Sequence, residues 1–311
     1  MADGTKIEWT DATWQVITGC SVVSPGCTNC YAMKLAGTRL RHHPSREGLT
    51  IDTKAGPVWN GQVRFNEEWL DQPLRWKTPR MIFVCAHGDL FHESVELRWI
   101  LKVFDVMERA HWHTFQVLTK RAARMQAFVT HAIPNVWLGV SVEDQARADE
   151  RIPLLLQTPA AKRWISAEPL LGPVDLRRYF GEGCGDCDPC SGRQPWSCAA
   201  ACFQRQLDWV VAGGESGPGA RPMRTDWART LRDQCSAAGV PFLHKQNGAF
   251  VEGPVVADES WDGGAYVDVP GFGITAISHA IDHKDGFASV LVGKKAAGRL
   301  LDGVEHNGFP T

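Results

Sequence analysis

Six apolar, β-rich runs recur through the chain at residues 81–85, 114–118, 136–141, 163–166, 209–212 and 241–244, with stretches of helix length between them. Strands that alternate with helices in this way predict a parallel sheet in which each strand is followed by a crossover helix. Residues 94–107 follow the first run, and their apolar spacing fits an amphipathic helix with Ser94 near its start.

Polar residues stand just past each run: Gly88-Asp89, Thr119-Lys120-Arg121, Val142-Glu143-Asp144, Ala167-Glu168-Pro169, Gly213-Gly214-Glu215-Ser216-Gly217 and Lys245-Gln246. A parallel α/β barrel builds its active site from the C-terminal ends of its strands, so this pattern gathers functional side chains on one rim. The expected fold is therefore α/β, a parallel (βα) barrel or partial barrel. A doubly wound sheet with its ligand at a switch point is the structural alternative. The barrel is expected over residues 1–250, interrupted by a cysteine-rich insertion at 177–206 and followed by a C-terminal extension at 251–311.

Cys20, Cys27 and Cys30 share one short loop, Gly19-Cys20-Ser21-Val22-Val23-Ser24-Pro25-Gly26-Cys27-Thr28-Asn29-Cys30-Tyr31-Ala32. The loop is expected to follow an early strand that contains Ile7-Glu8-Trp9. Three thiolates from one loop can hold a [4Fe–4S] cluster by three of its irons and leave the fourth iron open; a zinc ion completed by a nearby His or Asp is the other reading. A second set, Cys184, Cys187, Cys190, Cys198 and Cys202, offers ligands for a structural zinc or a second Fe–S cluster. Cys85 and Cys235 stand outside both sets and read as packing residues.

The chain has 311 residues, 44% of them hydrophobic, enough to bury a substantial core. It contains no apolar run of the roughly 18 residues that span a bilayer and no signal-peptide pattern, so a cytoplasmic location with no membrane contact is expected. Cytosolic thiols stay reduced, which favours metal or cluster ligation over disulfides for ten cysteines. The formal net charge of −2 selects no partner. Thirteen Trp residues could stack bases, although core packing is the commoner use of Trp. Residues 292–303 read as a short basic helix in which Lys294, Lys295 and Arg299 form either a polyanion contact or a solvated face.

The chain resembles an uncharacterised phage-associated family of three-cysteine proteins, itself similar to radical SAM (S-adenosylmethionine) enzymes and more distantly to the spore photoproduct lyases. The resemblance rests on Thr18-Gly19-Cys20, Cys27-Thr28-Asn29-Cys30-Tyr31-Ala32, Gly88-Asp89-Leu90-Phe91-His92, Leu118-Thr119-Lys120-Arg121, residues 137–143 and 165–170, Gly213-Gly214-Glu215-Ser216-Gly217 and Gly293-Lys294-Lys295. The first cysteine spacer is six residues, where most radical SAM proteins have three. The resemblance implies a barrel of radical SAM type that binds a [4Fe–4S] cluster and S-adenosylmethionine.

It also implies reductive cleavage of SAM, hydrogen abstraction from a substrate, an electron donor, and a substrate of nucleic-acid or nucleotide class. A partner protein is a further expectation. Mapped onto the rim, it makes Asp89 the contact for the methionyl amino group. Ser141 and Glu143 are then expected at the ribose, and Glu168 and Lys120 at the methionyl end or the substrate, with a rim salt bridge or helix cap as the other reading of each; Gly213, Gly214 and Glu215 either approach the SAM carboxylate or form a turn, and Tyr31 stands beside the cluster. Against this stands a zinc-binding nucleic-acid or protein-interaction module without catalysis.

Overall fold

Alternation along each strand decides which side chain meets which layer. Ile82 and Val84 pack with Ile100, Val103 and Met107, whereas Phe83 between them belongs to a separate cluster with Trp9, Trp164 and Trp209. The same division separates Val210 and Ala212 from Trp209 and Val211, and Ile165 from Trp164. Strands covered on both faces read as nearly continuous apolar runs, which is why they stand out in the sequence.

The computed structural model describes residues 4–5, 7–181, 206–257 and 265–311. In chain order the strands are β1 (Ala12–Trp14), β2 (Ile17–Thr18), β3 (Thr50–Thr53), β4 (Gly56–Trp59), β5 (Arg64–Phe65), β6 (Met81–Val84), β7 (Thr114–Thr119), β8 (Val136–Ser141), β9 (Lys162–Ala167), β10 (Trp209–Gly213) and β11 (Phe242–Gln246). Seven of them form one parallel sheet in the order β1-β6-β7-β8-β9-β10-β11. The order never reverses, so the sheet has no switch point and is not doubly wound. It curls into a half-barrel in a mixed α/β fold.

The expected early strand at 7–9 is instead Ala12–Trp14, paired in parallel with β6. Trp9 enters the inner aromatic cluster, with its ring centroid 4.7 Å from Phe83 and 5.2 Å from Trp164. Room for that cluster comes from a strand glycine. A Cβ on Gly139 would lie 2.5 Å from the indole of Trp164, its partner across β8 and β9. The most deeply buried Trp side chains thus serve packing.

The amphipathic helix after β6 runs over Leu97–Arg109 and begins after Glu96, because Ser94 is engaged in the preceding turn with His92. Cys235 is fully buried in the outer core on the helix Thr225–Ala238. The expected basic helix at 292–303 shrinks to Lys294–Ala297, ended by Gly298 at φ +68°.

Beyond β11 the chain builds a second sheet from β12 (Phe250–Ala257), β13 (Ala265–Val269), β14 (Gly273–Ala276), β15 (Ala280–Asp282) and β16 (Phe287–Leu291). These antiparallel strands lie in the order β14-β13-β12-β16-β15. The tail then returns to the half-barrel and covers the open edge of β11. His244 N–H donates to His306 O, Gly308 N–H donates to Phe242 O, and Trp209 Nε1 donates to Gly308 O at 2.7 Å. No helix among the described residues is long and apolar enough to cross a membrane.

Candidate functional site

The parallel strands end around a cavity of about 750 Å³. Trp9, Phe83 and Leu118 give it an apolar wall, and the rim adds Lys120, Ser141, Ser166, Glu168 and Lys245. Ser141 and Ser166 are register partners on β8 and β9, so their hydroxyls sit side by side. Lys245 Nζ lies 3.2 Å from Glu168 Oε1, and Ser166 Oγ donates to Glu168 Oε2 at 3.4 Å.

The cysteine loop lies over this rim. Cys20 follows β2, Cys27 closes a 3₁₀ turn at Pro25–Cys27, and Cys30 stands just before the helix Tyr31–Gly37. All three cysteines line the cavity. Removal from water pushes the Cys20 thiol up to about 12, with Asp89 pushing the same way and Arg121 opposing. Burial also raises Cys30, while the N–H groups of Met33 and Ala32 pull against it. Thiols raised in this way, as Cys20 and Cys30 are, ionise when a cationic group binds them.

Among the described residues, no three His, Cys, Asp or Glu side chains are grouped to hold one metal ion. A zinc ion would draw its sulfurs to within about 4 Å of one another, because each Zn–S bond is about 2.3 Å. A four-iron cluster takes each cysteine at a different iron and fits a wider set. Cys184, Cys187, Cys190, Cys198 and Cys202 lie outside the described residues.

Two carboxylates expected to face a ligand, Glu143 and Glu215, hold the loop, and of the two Glu215 also lines the cavity. Glu143 is fully buried and is not part of the cavity wall. It accepts from Ser24 Oγ at 2.5 Å and Arg151 Nη1 at 3.0 Å, and Lys120 Nζ lies 3.3 Å away. Burial pushes its carboxyl up, but Lys120, Arg151 and Ser24 outweigh that and hold it below the ordinary range.

Glu215 accepts from Arg221 through Nε and Nη2 and from Asn29 Nδ2, the last at 2.9 Å. It therefore ties the second half of the cysteine loop to the segment after β10. Asp89 lines the cavity, yet its oxygens accept from Phe91 N–H, Thr119 Oγ1, Lys120 N–H and Arg121 Nη1. Those four donors occupy the acceptor positions assigned to an amino-group contact.

The glycine pair has a packing reason. A Cβ on Gly213 would lie 2.7 Å from Glu168 Oε1, and one on Gly214 would lie 2.4 Å from Asn247 O. Gly214 lines the cavity and Gly213 does not. Tyr31 lines it too, with its hydroxyl donating to Ala86 O at 2.8 Å and its ring edge-on to His87.

Residues missed from the sequence include Ser24, Asn29 and Arg46. Arg46 Nη2 lies 2.9 Å from His87 Nδ1, and burial together with Arg46 pushes His87 down to about 4. Two further histidines have hydrogen-bond partners: His92 Nε2 meets Ser21 Oγ at 2.5 Å, and His113 Nε2 meets Pro73 O at 3.0 Å. No local pattern announces these pairs. Arg121 is different, since it stands beside Lys120 in a rim motif already visible.

The family model described as "Protein of unknown function (DUF5131)" matches residues 4–310. The chain belongs to this family. No curated protein matches the DUF5131 chain in sequence. Among solved structures it is similar to a cysteine-to-serine mutant of spore photoproduct lyase, with a TM-score of 0.40 and 9% identity, covering 86% of this chain and 71% of that one. A spore photoproduct lyase complexed with dinucleoside spore photoproduct gives a TM-score of 0.34 and 9% identity, covering 71% and 60%.

Proposed function

We propose that this DUF5131 protein is a radical SAM enzyme in which Cys20, Cys27 and Cys30 hold a [4Fe–4S] cluster. One observation carries the reading: all three thiols open into a single cavity at the C-terminal rim of a parallel half-barrel. The resemblance of the cysteine loop, with Tyr31 directly after Cys30, supports it as well. When bound, the cluster supplies an electron for reductive cleavage of SAM.

The chain's own residues do the positioning. Glu143 and Glu215 fasten the two halves of the cysteine loop to neighbouring parts of the rim, which fixes the sulfurs before any ligand arrives. Ser141, Ser166, Glu168 and Lys245, at the ends of the strands, are polar groups on the cavity wall that suit SAM. The aromatic wall around Trp9 and Phe83 excludes water from the interior behind it. The substrate is of nucleotide or nucleic-acid class, a choice supported by the resemblance and by Lys120, Lys294 and Arg46 on the cavity wall, which suit phosphate oxygens. An electron donor completes the system. The half-barrel is proposed as the catalytic unit through residue 250, with 177–206 as a metal-binding insertion and 251–311 as an extension.

Anaerobic reconstitution with iron and sulfide should give a brown protein that forms 5'-deoxyadenosine from SAM on reduction. Replacing Cys20, Cys27 and Cys30 together by Ala should abolish both colour and product. A colourless protein holding only zinc, or SAM cleavage that survives the triple replacement, overturns the proposal.

A further inference from the structure

The three cysteine sulfurs receive unlike donors. Cys27 Sγ has a neutral hydroxyl, Ser24 Oγ, at 3.8 Å, and Cys30 has the amides of Ala32 and Met33. Cys20 Sγ accepts from a guanidinium, Arg121 Nη1, at 3.4 Å. Arg121 follows β7, and its side chain is only 5% exposed.

That guanidinium is fixed from two sides. Nη1 also donates to Asp89 Oδ2 at 3.0 Å, while Nε donates to both oxygens of Glu93. Asp89 is itself locked by Thr119, Lys120 and Phe91. Nη2 is buried and has no hydrogen-bond partner. Burying a fixed charge beside a sulfur is unfavourable unless it is offset, and here Asp89 is its only buried carboxylate partner among the described residues, since the Glu93 side chain is 63% exposed.

We infer that Arg121 sets the reduction potential of the cluster through Cys20. This rests on the cluster reading above. A charged donor on a ligating thiolate draws electron density from it and favours the reduced, more negative cluster. Arg121 is thus a positioning residue that acts through Cys20. Glu93 tempers it from the solvent side, so the two residues should shift the potential in opposite directions.

The test is a mediator titration of the reconstituted full-length protein, followed by the EPR signal of the reduced cluster, without substrate. Arg121→Gln should lower the reduced-to-oxidised ratio about tenfold at fixed potential, which is about 59 mV for one electron. Glu93→Gln removes a mostly exposed charge and should raise the ratio, while Arg121→Lys should lie between wild type and Arg121→Gln. If Arg121→Gln fails to fold or to load, the Glu93→Gln shift decides alone. Potentials equal to wild type in every loaded variant overturn the inference and leave the cluster reading standing. A wild-type protein that takes up no cluster overturns both.

Discussion

Ser24 Oγ donates to Glu143 Oε1 at 2.5 Å, and this bond fastens the middle of the cysteine loop to the end of β8. The neighbouring Gly26 leaves room for the carboxylate, because a Cβ there would lie 2.3 Å from Glu143 Cγ. Glu143→Ala would leave Arg151, 2% exposed, without its buried carboxylate, with only the exposed Glu150 at 3.9 Å. Loss of one partner from a buried pair lowers stability by about 3–5 kcal/mol. Urea denaturation should show a fall of that size, with only about 1 kcal/mol for Ser24→Ala. Unchanged stability in Glu143→Ala would show that the clamp does not hold the loop.

Acid should weaken the fold in two stages. Burial and Arg46 push His87 down to about 4, so between its ordinary value near 6.5 and that point the unfolded chain takes up a proton that the folded chain refuses. Its contribution is complete above pH 6.5 and declines as the pH falls towards 4. Between pH 7 and 5, His87→Gln should remove ~2 kcal/mol of that pH dependence. Below this window Glu143 and Glu215, both held under the ordinary carboxylate range, lose their contributions as pH falls through their folded values. Equal slopes for wild type and His87→Gln between pH 7 and 5 would contradict the assignment.

Gly139 and Trp164 should behave as a coupled pair. Gly139→Ala pushes a methyl group into an indole ring held on all sides, and such overpacking costs about 1–3 kcal/mol. Trp164→Leu opens a cavity and is destabilising by itself. The double variant should be more stable than the sum of the two single effects predicts, measured by a denaturation cycle. Strict additivity would mean that the close approach is not what makes the glycine necessary.

Removal of residues 306–311 should uncover the edge of β11. The tail satisfies His244 N–H, Phe242 O and the Trp209 indole, and Phe309 packs on Trp209 with ring centroids 5.0 Å apart. An exposed parallel edge invites pairing with other chains. The truncated protein should melt lower and aggregate at concentrations where the full chain stays monodisperse in light scattering. Identical melting and scattering would show that the tail is dispensable.

The strand–helix rhythm, the rim motifs and the three-cysteine loop could be read from the sequence because each is written in neighbouring residues. Apolar runs reveal strands buried on both faces, and a polar cluster after each run marks a strand end. What each rim residue does could not be read that way. Asp89, Glu143 and Glu215 match the pattern of ligand-facing carboxylates, yet most of their acceptor capacity goes to the chain itself. The donors are remote: Ser24 is 119 residues from Glu143, and Asn29 is 186 residues from Glu215.

Trp9 shows the same limit, since its β-like surroundings suggest a strand while its ring is claimed by Phe83, Trp164 and Trp209. The sequence by itself determined the six apolar strands of the half-barrel from β6 onward, their order and the three cysteines of one loop. Only the tertiary structure decided which polar groups hold the loop and which remain open to the cavity, because a hydrogen bond is allotted by distance in space.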